Sequence, residues 1–457
     1  MTHIHLIGIG GTGLSAIAKV LLERGYQVSG SDLTASPLAD AAAEAGAQVS
    51  IGHQADNIRG ADLVVRSSAV PEENVEVQAA YQAGIPVLKR TGFLSHLTNG
   101  YRTIAVAGSH GKTTTTAMTA WMLTTLGQDP SFIAGGVVEN LGTNARHGEG
   151  ELFVIEADEY DDMFLGLDPD LAVVTNVEHD HPDLFSTPRE FEQAFDKFLD
   201  RLQPQGTLIY CLEDRGARRL AKRIQPGQKA VSYGIESAQG TYRGEDLRLN
   251  EFGGFSFQVR ALQATQDSSH RISLQVPGKH NVLNALAAFA VGDQLGLAAA
   301  QISRALSAFQ GSGRRFDVRG EFQGIVLVDD YGHHPTEIRV SLAAAKAAYP
   351  HRRIWALWQP HTYSRTETFY EDYRRAFGDA EEVIVLDVYP AREEKPPGFD
   401  MAGLVEGIHH NSVRFLPEIS TAVAYLQKNL QEGDLLLVFT AGDAIEVTNR
   451  LQKYYQR

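Results

Sequence analysis

Along this chain, short continuous apolar runs alternate with longer stretches in which apolar positions recur every three or four residues. The first pattern predicts strands buried on both faces and the second amphipathic helices, so their alternation predicts parallel, doubly wound sheets. His3–Ile7 reads as a strand, Leu14–Arg24 as a helix, and Gln27–Ser29 as a second strand leading to Ser31-Asp32. Leu63–Arg66 and Val87–Leu88 read as later strands. Asn99-Gly100 is a turn signal, after which the strand Thr103–Ala107 enters a glycine-bearing loop and a helix. Further strands are expected at Leu152–Glu156, Leu171–Thr175 and Thr207–Cys211, and a helix at Arg189–Leu202 places Phe191, Phe195, Phe198 and Leu202 on one face. From about Gly240 to Val276 the pattern turns polar, with alternating pieces such as Phe255–Val259 that predict small antiparallel strands; a helix covers about Val282–Leu295. A third α/β unit opens near Arg314, with strands at Ile325–Val328, Ile354–Leu357, Val383–Leu386 and Leu435–Phe439. The expected fold class is α/β in three domains, over residues 1–97, 98–313 and 314–457.

Composition narrows the function classes. At 457 residues the chain exceeds one ordinary core, and 43% hydrophobic with 21% charged content is that of a soluble globular protein. A formal net charge of -15 argues against sequence-independent nucleic-acid binding and requires that any anionic substrate meet local positive charge. A single cysteine, Cys211, excludes an intramolecular disulfide and fits a reducing compartment. The start Met1-Thr2-His3-Ile4-His5 lacks a basic n-region, and no long uninterrupted apolar span follows, so membrane insertion is not expected and the cytoplasm is the expected location.

The chemistry concentrates where strands end. Gly108-Ser109-His110-Gly111-Lys112-Thr113-Thr114 follows a buried strand and opens a helix, the layout of a triphosphate cradle. Loop N–H groups hold phosphate oxygens, lysine neutralises the β and γ charges, and the threonine hydroxyl serves Mg²⁺. The usual phosphate loop has a further glycine where Val106 stands, so this is a shorter form. Glu156 and its acidic neighbours Asp158, Glu159, Asp161 and Asp162 end a buried strand, where a carboxylate partner for Mg²⁺ is expected. Glu178-His179-Asp180-His181 ends the next strand; zinc is compatible with its composition, but oxygen-rich surroundings favour magnesium. Gly278-Lys279-His280-Asn281 opens a helix, Arg314-Arg315 is a basic pair at a domain junction, and two further polar loops, Asp329–Glu337 and Gln359–Thr366, follow strands of the third unit. At the N-terminus Gly8-Ile9-Gly10-Gly11-Thr12-Gly13, with Asp32 about 20 residues on, satisfies a dinucleotide fingerprint. It supports either an NAD-dependent oxidoreductase or a site for another pyrophosphate, such as that of a UDP-sugar.

Taken in order, the strings GIGGTGLSAIA, SSAVPEEN, GSHGKTTTT, EADEYD, TNVEHDHPD, GKHNVLNALAA, GRRFDVRGE, DDYGHHPTEI, QPHTYSRT and DVYPAREE resemble the Mur ligase family of peptidoglycan synthesis nearly end to end. The resemblance implies an N-terminal Rossmann-like domain for the UDP substrate, a central P-loop-type ATPase domain and a C-terminal Rossmann-like domain. It implies ATP and Mg²⁺ as cofactors, UDP-N-acetylmuramate and L-alanine as substrates, an acyl-phosphate intermediate, and a monomer or homodimer. Carried over position by position, it implies catalytic roles for Lys112, Glu156, His181 and His333. ATP would meet Gly108, Ser109, His110, Gly111, Lys112, Thr113, Thr114, His280, Asn281, Arg315 and Asp330. One Mg²⁺ would be held by Thr113 and Glu156, and a second, near the substrate carboxylate, by His181. The UDP group would meet Gly10, Gly11, Gly13, Ser15, Asp32, Ser67 and Ser68, and the amino acid His333 and Arg365. Two residues depart from the alanine-adding pattern: Tyr160 stands where serine is common, a feature shared with ligases that add a whole tripeptide, and Thr362 stands where some members have arginine.

Overall fold

The computed structural model describes residues 2–237, 239–261 and 269–456. They group into two compact units, one of Met1–Glu178, Glu192–Tyr242 and Leu286–Ala305, the other of His179–Phe191, Arg243–Ala285 and Leu306–Arg457. These units do not follow the three expected segments, because parts of the middle segment join each of them.

In the first unit, β1 (His3–Ile7), β2 (Gln27–Asp32), β3 (Gln48–Ile51), β4 (Leu63–Arg66) and β5 (Val87–Lys89) form a parallel sheet of order β3-β2-β1-β4-β5. The reversal of strand order beside β1 puts a crevice at the carboxyl end of that strand, above the loop Gly8–Gly13. A core of Ile7, Ile58, Val64, Val70, Val77 and Ala80 backs it. The same unit carries β6 (Arg102–Ala107), β7 (Ser131–Val138), β8 (Thr143–Arg146), β9 (Leu152–Glu156), β10 (Leu171–Val174), β11 (Thr207–Cys211) and β12 (Lys229–Gly234), in the order β12-β11-β10-β6-β9-β7-β8. All of these neighbours are parallel except the edge pair β7–β8, so β6, β9 and β10 end side by side.

The second unit holds most of β13 (Tyr242–Leu249), together with β14 (Phe255–Ala261) and β15 (Ser269–Ser273), the last two antiparallel as the alternating pattern predicts. Residues 262–268 of that polar stretch lie outside the described residues. Its main sheet is built from β16 (Asp317–Phe322), β17 (Ile325–Asp330), β18 (Arg353–Trp358), β19 (Glu382–Val385), β20 (Val413–Phe415) and β21 (Asp434–Phe439), in the order β16-β17-β21-β18-β19-β20. Alternate residues feed two cores. Val326, Val328, Ala356, Trp358, Leu435 and Leu437 pack with Ile338 and Leu342 of the helix Pro335–Ala348, while Ile325, Leu327, Trp355, Leu357, Leu436 and Val438 pack with Leu426 and Leu451 of the helices Ile419–Asn429 and Ile445–Tyr455. Burial on both faces is why these strands read as continuous apolar runs.

Several expected boundaries move. The helix after the phosphate loop begins at Lys112 itself, and the helix expected from Val282 begins at Lys279, so His280 and Asn281 lie in its first turn. Asp329 and Asp330 do not follow β17 but are its last two residues, both buried. The helix over Pro188–Leu199 ends before Leu202, although Leu202, like the three phenylalanines, is buried. Strands β3, β7, β8, β12, β16 and β20 have no counterpart in the sequence reading; several are short or polar, which leaves no apolar run to read. Among the described residues no helix is long and apolar enough to cross a membrane.

Candidate active site

The phosphate loop is fastened to the segment that follows the neighbouring strand β10. Gly108 has φ +136°, and a Cβ there would collide with the Thr175 hydroxyl, so only glycine fits. The Ser109 hydroxyl donates to the Glu178 carbonyl (2.6 Å) and accepts from the Glu178 amide (2.8 Å). The His110 amide donates to Asn176 Oδ1 (2.8 Å), and its carbonyl accepts from Thr175 Oγ1 (2.6 Å) and Asn176 Nδ2 (3.0 Å). The His110 ring lies 3.0 Å from Glu178 Oε2. Gly111 caps the helix Lys112–Thr125 without a side-chain acceptor, leaving the cap to an incoming anion.

Lys112 Nζ folds back onto the carbonyls of Gly108 (2.6 Å) and Ser109 (3.3 Å) and pairs with both oxygens of Glu159 (3.0 and 2.9 Å). Glu159 is 0% exposed. Burial by itself lowers the affinity of this lysine for its proton, but the carboxylates of Glu159, Asp158 and Glu156 outweigh it, and Lys112 is held charged. One residue along, the Thr113 hydroxyl donates to Glu156 Oε1 (3.0 Å), and Glu156 Oε2 accepts from the Gly135 amide (2.5 Å). A Cβ on Gly135 would sit 2.6 Å from Glu156 Oε2 and 2.9 Å from Thr113 Oγ1. The two hard oxygen donors expected to serve one Mg²⁺ are therefore adjacent, under a backbone that must be glycine.

The N-terminal loop is built by the same device with different chemistry. Gly11 precedes the helix Thr12–Glu23 with no side-chain cap. The Gly10 amide donates to Asp32 Oδ2 (2.9 Å), and the Arg90 guanidinium lies against Gly13 where a Cβ would be. The Ser15 hydroxyl turns back to the Thr12 carbonyl (3.1 Å), and the Ser67 amide donates to the Ile7 carbonyl (2.9 Å), which keeps Ser67 and Ser68 beside the loop.

In the second unit a buried ion pair gathers three histidines. Arg365 is 2% exposed; its Nε donates to Asp180 Oδ1 (2.8 Å), while Nη1 meets His361 Nδ1 (2.9 Å) and Nη2 meets His181 Nδ1 (3.2 Å). His333 Nε2 lies 3.8 Å from Asp180 Oδ2, and its Nδ1 faces the Tyr331 carbonyl (3.0 Å). Burial works against the Asp180 charge, but Arg365, His181 and His333 hold its carboxyl well below the ordinary range. His361 is pushed down to about 3, chiefly by burial, with neighbouring His333, Arg365 and His181 adding to it. His181 (φ +54°) and Thr362 (φ +64°) both take backbone conformations rare for side-chain-bearing residues, and strain of this kind concentrates at functional sites.

The remaining residues assigned to ATP also lie in the second unit. Asp330 accepts from the amides of Gly332 (2.6 Å) and Phe316 (3.1 Å) and from the Ser341 hydroxyl (2.9 Å), which braces the Arg314–Phe316 junction against the start of the next helix. Arg315 lies 3.6 Å from Glu337 and 5.0 Å from the Tyr331 ring centroid. Asn281 Nδ2 donates to the Pro277 carbonyl (2.7 Å), and Asn281 Oδ1 accepts from Asn284 (2.9 Å). His280 is pushed down to about 4, chiefly by burial, and its Nδ1 has no hydrogen-bond partner among the described residues.

Three family models divide the chain between them: the Mur ligase family catalytic domain over residues 3–102, the Mur ligase middle domain over 106–292, and the Mur ligase glutamate ligase domain over 314–442. The chain belongs to the Mur ligase family. Among its relatives, the UDP-N-acetylmuramate–L-alanine ligase of Desulfosudis oleivorans is 42% identical over 96% of both chains, and that of a Geobacter species (strain M21) is 42% identical over 97% of this chain and 96% of its own. The crystal structure of UDP-N-acetylmuramate-alanine ligase from Thermotoga maritima superposes with a TM-score of 0.83, at 28% identity, covering 100% of this chain and 99% of that one. Three-domain α/β architecture, expected from the strand and helix pattern, is that of this Mur ligase relative.

Thr113 and Glu156 meet in the first unit, Arg365 gathers His181 and His333 around Asp180 in the second, and the fold adds residues the sequence did not single out. Gly135 lies on β7, where the doublet Gly135-Gly136 interrupts the apolar residues Phe132–Ala134 and Val137-Val138. Glu159 stood in the acidic run without a role, and its function as the counter-charge of Lys112 depends on which carboxylate turns inward. Asn176 and Thr175 brace the loop from the next strand, and Asp180 is the anion of the Arg365 cluster.

Proposed function

We propose that this Mur ligase couples ATP hydrolysis to amide formation between the lactyl carboxylate of UDP-N-acetylmuramate and L-alanine. A carboxylate oxygen attacks the γ-phosphorus and ADP leaves; the amine nitrogen then attacks the acyl carbon, and inorganic phosphate leaves as the amide forms. The observation that carries the reading is the strand-end assembly of Lys112, Thr113 and Glu156 at a glycine loop, in a chain that matches alanine-adding ligases along almost its whole length. Those relatives support the alanine-adding reading rather than the tripeptide-adding or NAD-dependent alternatives.

In this reading Lys112 leaves Glu159 and the loop carbonyls for the β/γ-phosphates, joined by the loop amides of Gly108–Gly111 and by Thr114. The hydroxyl of Thr113 and the carboxylate of Glu156 form a hard oxygen pair that fits one Mg²⁺, and His181 would serve a second; the metal would offset phosphate charge. His280, Asn281, Arg315 and Asp330 serve the nucleoside and phosphates; the unpartnered, neutral His280 Nδ1 supports this for the base or ribose. Gly10, Gly11, Gly13, Ser15, Asp32, Ser67 and Ser68, with Arg90, hold the UDP group. Arg365 and His333 receive the amino acid, for which Arg365 exchanges part of its bonding to Asp180 for the incoming carboxylate. The enzyme works in the cytoplasm as a monomer or homodimer, over residues 1–97, 98–313 and 314–457 as functional domains. Phosphate release with UDP-N-acetylmuramate, ATP and a panel of amines tests the reading: release should require all three components and be fastest with L-alanine. Faster release with the tripeptide would replace the amine, and release without any nucleotide-sugar would overturn the reaction.

A further inference from the structure

Glu76 occupies the first turn of the helix Val75–Ala83, inside the N-terminal sheet's flank, and is 0% exposed. A buried carboxylate there is costly unless every lone pair is used, and here they are. Oε2 accepts from the Ser31 hydroxyl (2.5 Å), with His5 Nε2 at 3.4 Å and His53 Nδ1 at 3.5 Å; Oε1 accepts from Asn57 Nδ2 (2.5 Å) and the Gln54 amide (3.1 Å). The facing groups come from β1, the end of β2, the segment after β3 and the short helix Ala55–Ile58, and of them only His5 and His53 are titratable. Hydrogen bonds from His5, Ser31 and Asn57 overcome the burial that would raise the Glu76 pKa and hold it at about 2.

Ser31 connects this carboxylate to the glycine loop. Its carbonyl accepts from the amides of both Gly8 (2.8 Å) and Ile9 (3.1 Å), so the residue gripped by Glu76 is also the one from which the loop hangs. Asn57 carries the grip to the other side, donating also to the Gly52 carbonyl (3.1 Å), while the Gly52 amide donates to the Asp32 carbonyl (2.7 Å). Glu76 thus sets the height of the loop at β1 and the position of Asp32 at β2, without standing at the surface where a ligand would touch it.

We propose that Glu76 is a positioning residue for the nucleotide-sugar, acting through Ser31 on the Gly8–Gly13 loop. The inference rests on the reading of that loop as the UDP-substrate site. Misplacing such a loop by a fraction of an ångström weakens one substrate and leaves the others alone.

Steady-state kinetics with all three substrates test this on the full chain. Glu76→Gln keeps the shape but turns one acceptor oxygen into a donor, and is expected to raise KM for UDP-N-acetylmuramate about tenfold while kcat and the KM values for ATP and L-alanine stay within about twofold. Ser31→Ala should raise the same KM, and the double variant should be no worse than the stronger single one, since both act along one path. An unchanged KM in Glu76→Gln overturns the proposal, as does a uniform change in kcat and all three KM values, the mark of a merely structural role. Should Glu76→Gln fail to fold, Ser31→Ala alone carries the test, and an unchanged KM there overturns it. A wild-type chain that neither binds nor turns over UDP-N-acetylmuramate overturns the reading of the site as well; a wild type that does, with an unaltered Glu76→Gln, overturns this inference alone.

Discussion

The first unit makes a strand, a glycine loop and a helix twice, at Gly8–Gly13 and at Gly108–Gly111, and fastens the two copies in opposite ways. The central loop carries its own cation, Lys112, the first residue of the helix, clamped by the buried Glu159. The N-terminal loop has no basic residue within it; Arg90 comes to it from a helix further along the chain, and buried Glu76 and Asp32 hold its backbone from beneath. The backbone device is the same because both loops present uncapped helix N-termini to anions. The side chains differ: one loop has a lysine of its own beside the Thr113–Glu156 pair, whereas the other borrows an arginine from a distant helix.

Removing that lysine should have the largest effect. Lys112→Ala is expected to lower kcat by about a thousandfold or more in a phosphate-release assay. It also removes the cation that faces the buried Glu159 carboxylate, and is expected to lower the denaturation midpoint. Adding Glu159→Gln should restore much of the denaturation midpoint and none of the activity; recovery of activity would end the distinction between the two loops. Next comes Gly135→Ala, whose new methyl would press on Glu156 and Thr113. A loss of about a hundredfold in kcat, with a raised magnesium requirement, is expected in a titration of rate against Mg²⁺. At the other loop, Asp32→Ala frees the Gly10 amide and should raise KM for the nucleotide-sugar about tenfold with kcat nearly unchanged. A fall in kcat instead would mean that this loop also acts on the reacting centre.

The smallest effect is on stability in acid. The Glu76 carboxyl lies at about 2 in the fold, below its ordinary value of 4.5. Its contribution is therefore complete above about pH 4.5 and is lost as pH falls from there through about 2, because the unfolded chain binds the proton first. Urea midpoints at pH 5 and pH 3 should diverge more for the wild type than for Glu76→Gln. Equal divergence would remove the buried carboxylate from the account of the N-terminal loop.

Much of this was legible beforehand because it is periodic or local. The strands β1, β4, β9 and β11 stand where the apolar runs place them, since a strand covered on both faces can tolerate little else. The nearness of Thr113 to Glu156 was readable because both stand at or just past the carboxyl ends of buried strands, which prove to be parallel neighbours. Less was readable at β7, where a glycine doublet splits the apolar run, and at polar β8, and there Gly135 was missed. Asp329-Asp330 looked like a loop because two carboxylates rarely end a buried strand; Thr448, Ser341 and the amides of Phe316 and Gly332 satisfy them, only Gly332 from close by in the chain.

By itself, then, the sequence determined the α/β class, the succession of strand-end loops and the chemistry each offers, because those follow from hydrophobic period and from functional groups close in the chain. Tertiary structure alone decided which acid faces which base: Glu159 rather than its neighbours against Lys112, Asp180 against Arg365 at 2.8 Å, and Glu76 beneath Ser31. Such choices depend on burial and on distances between groups far apart in sequence, where desolvation makes an unpaired charge costly and a paired one specific.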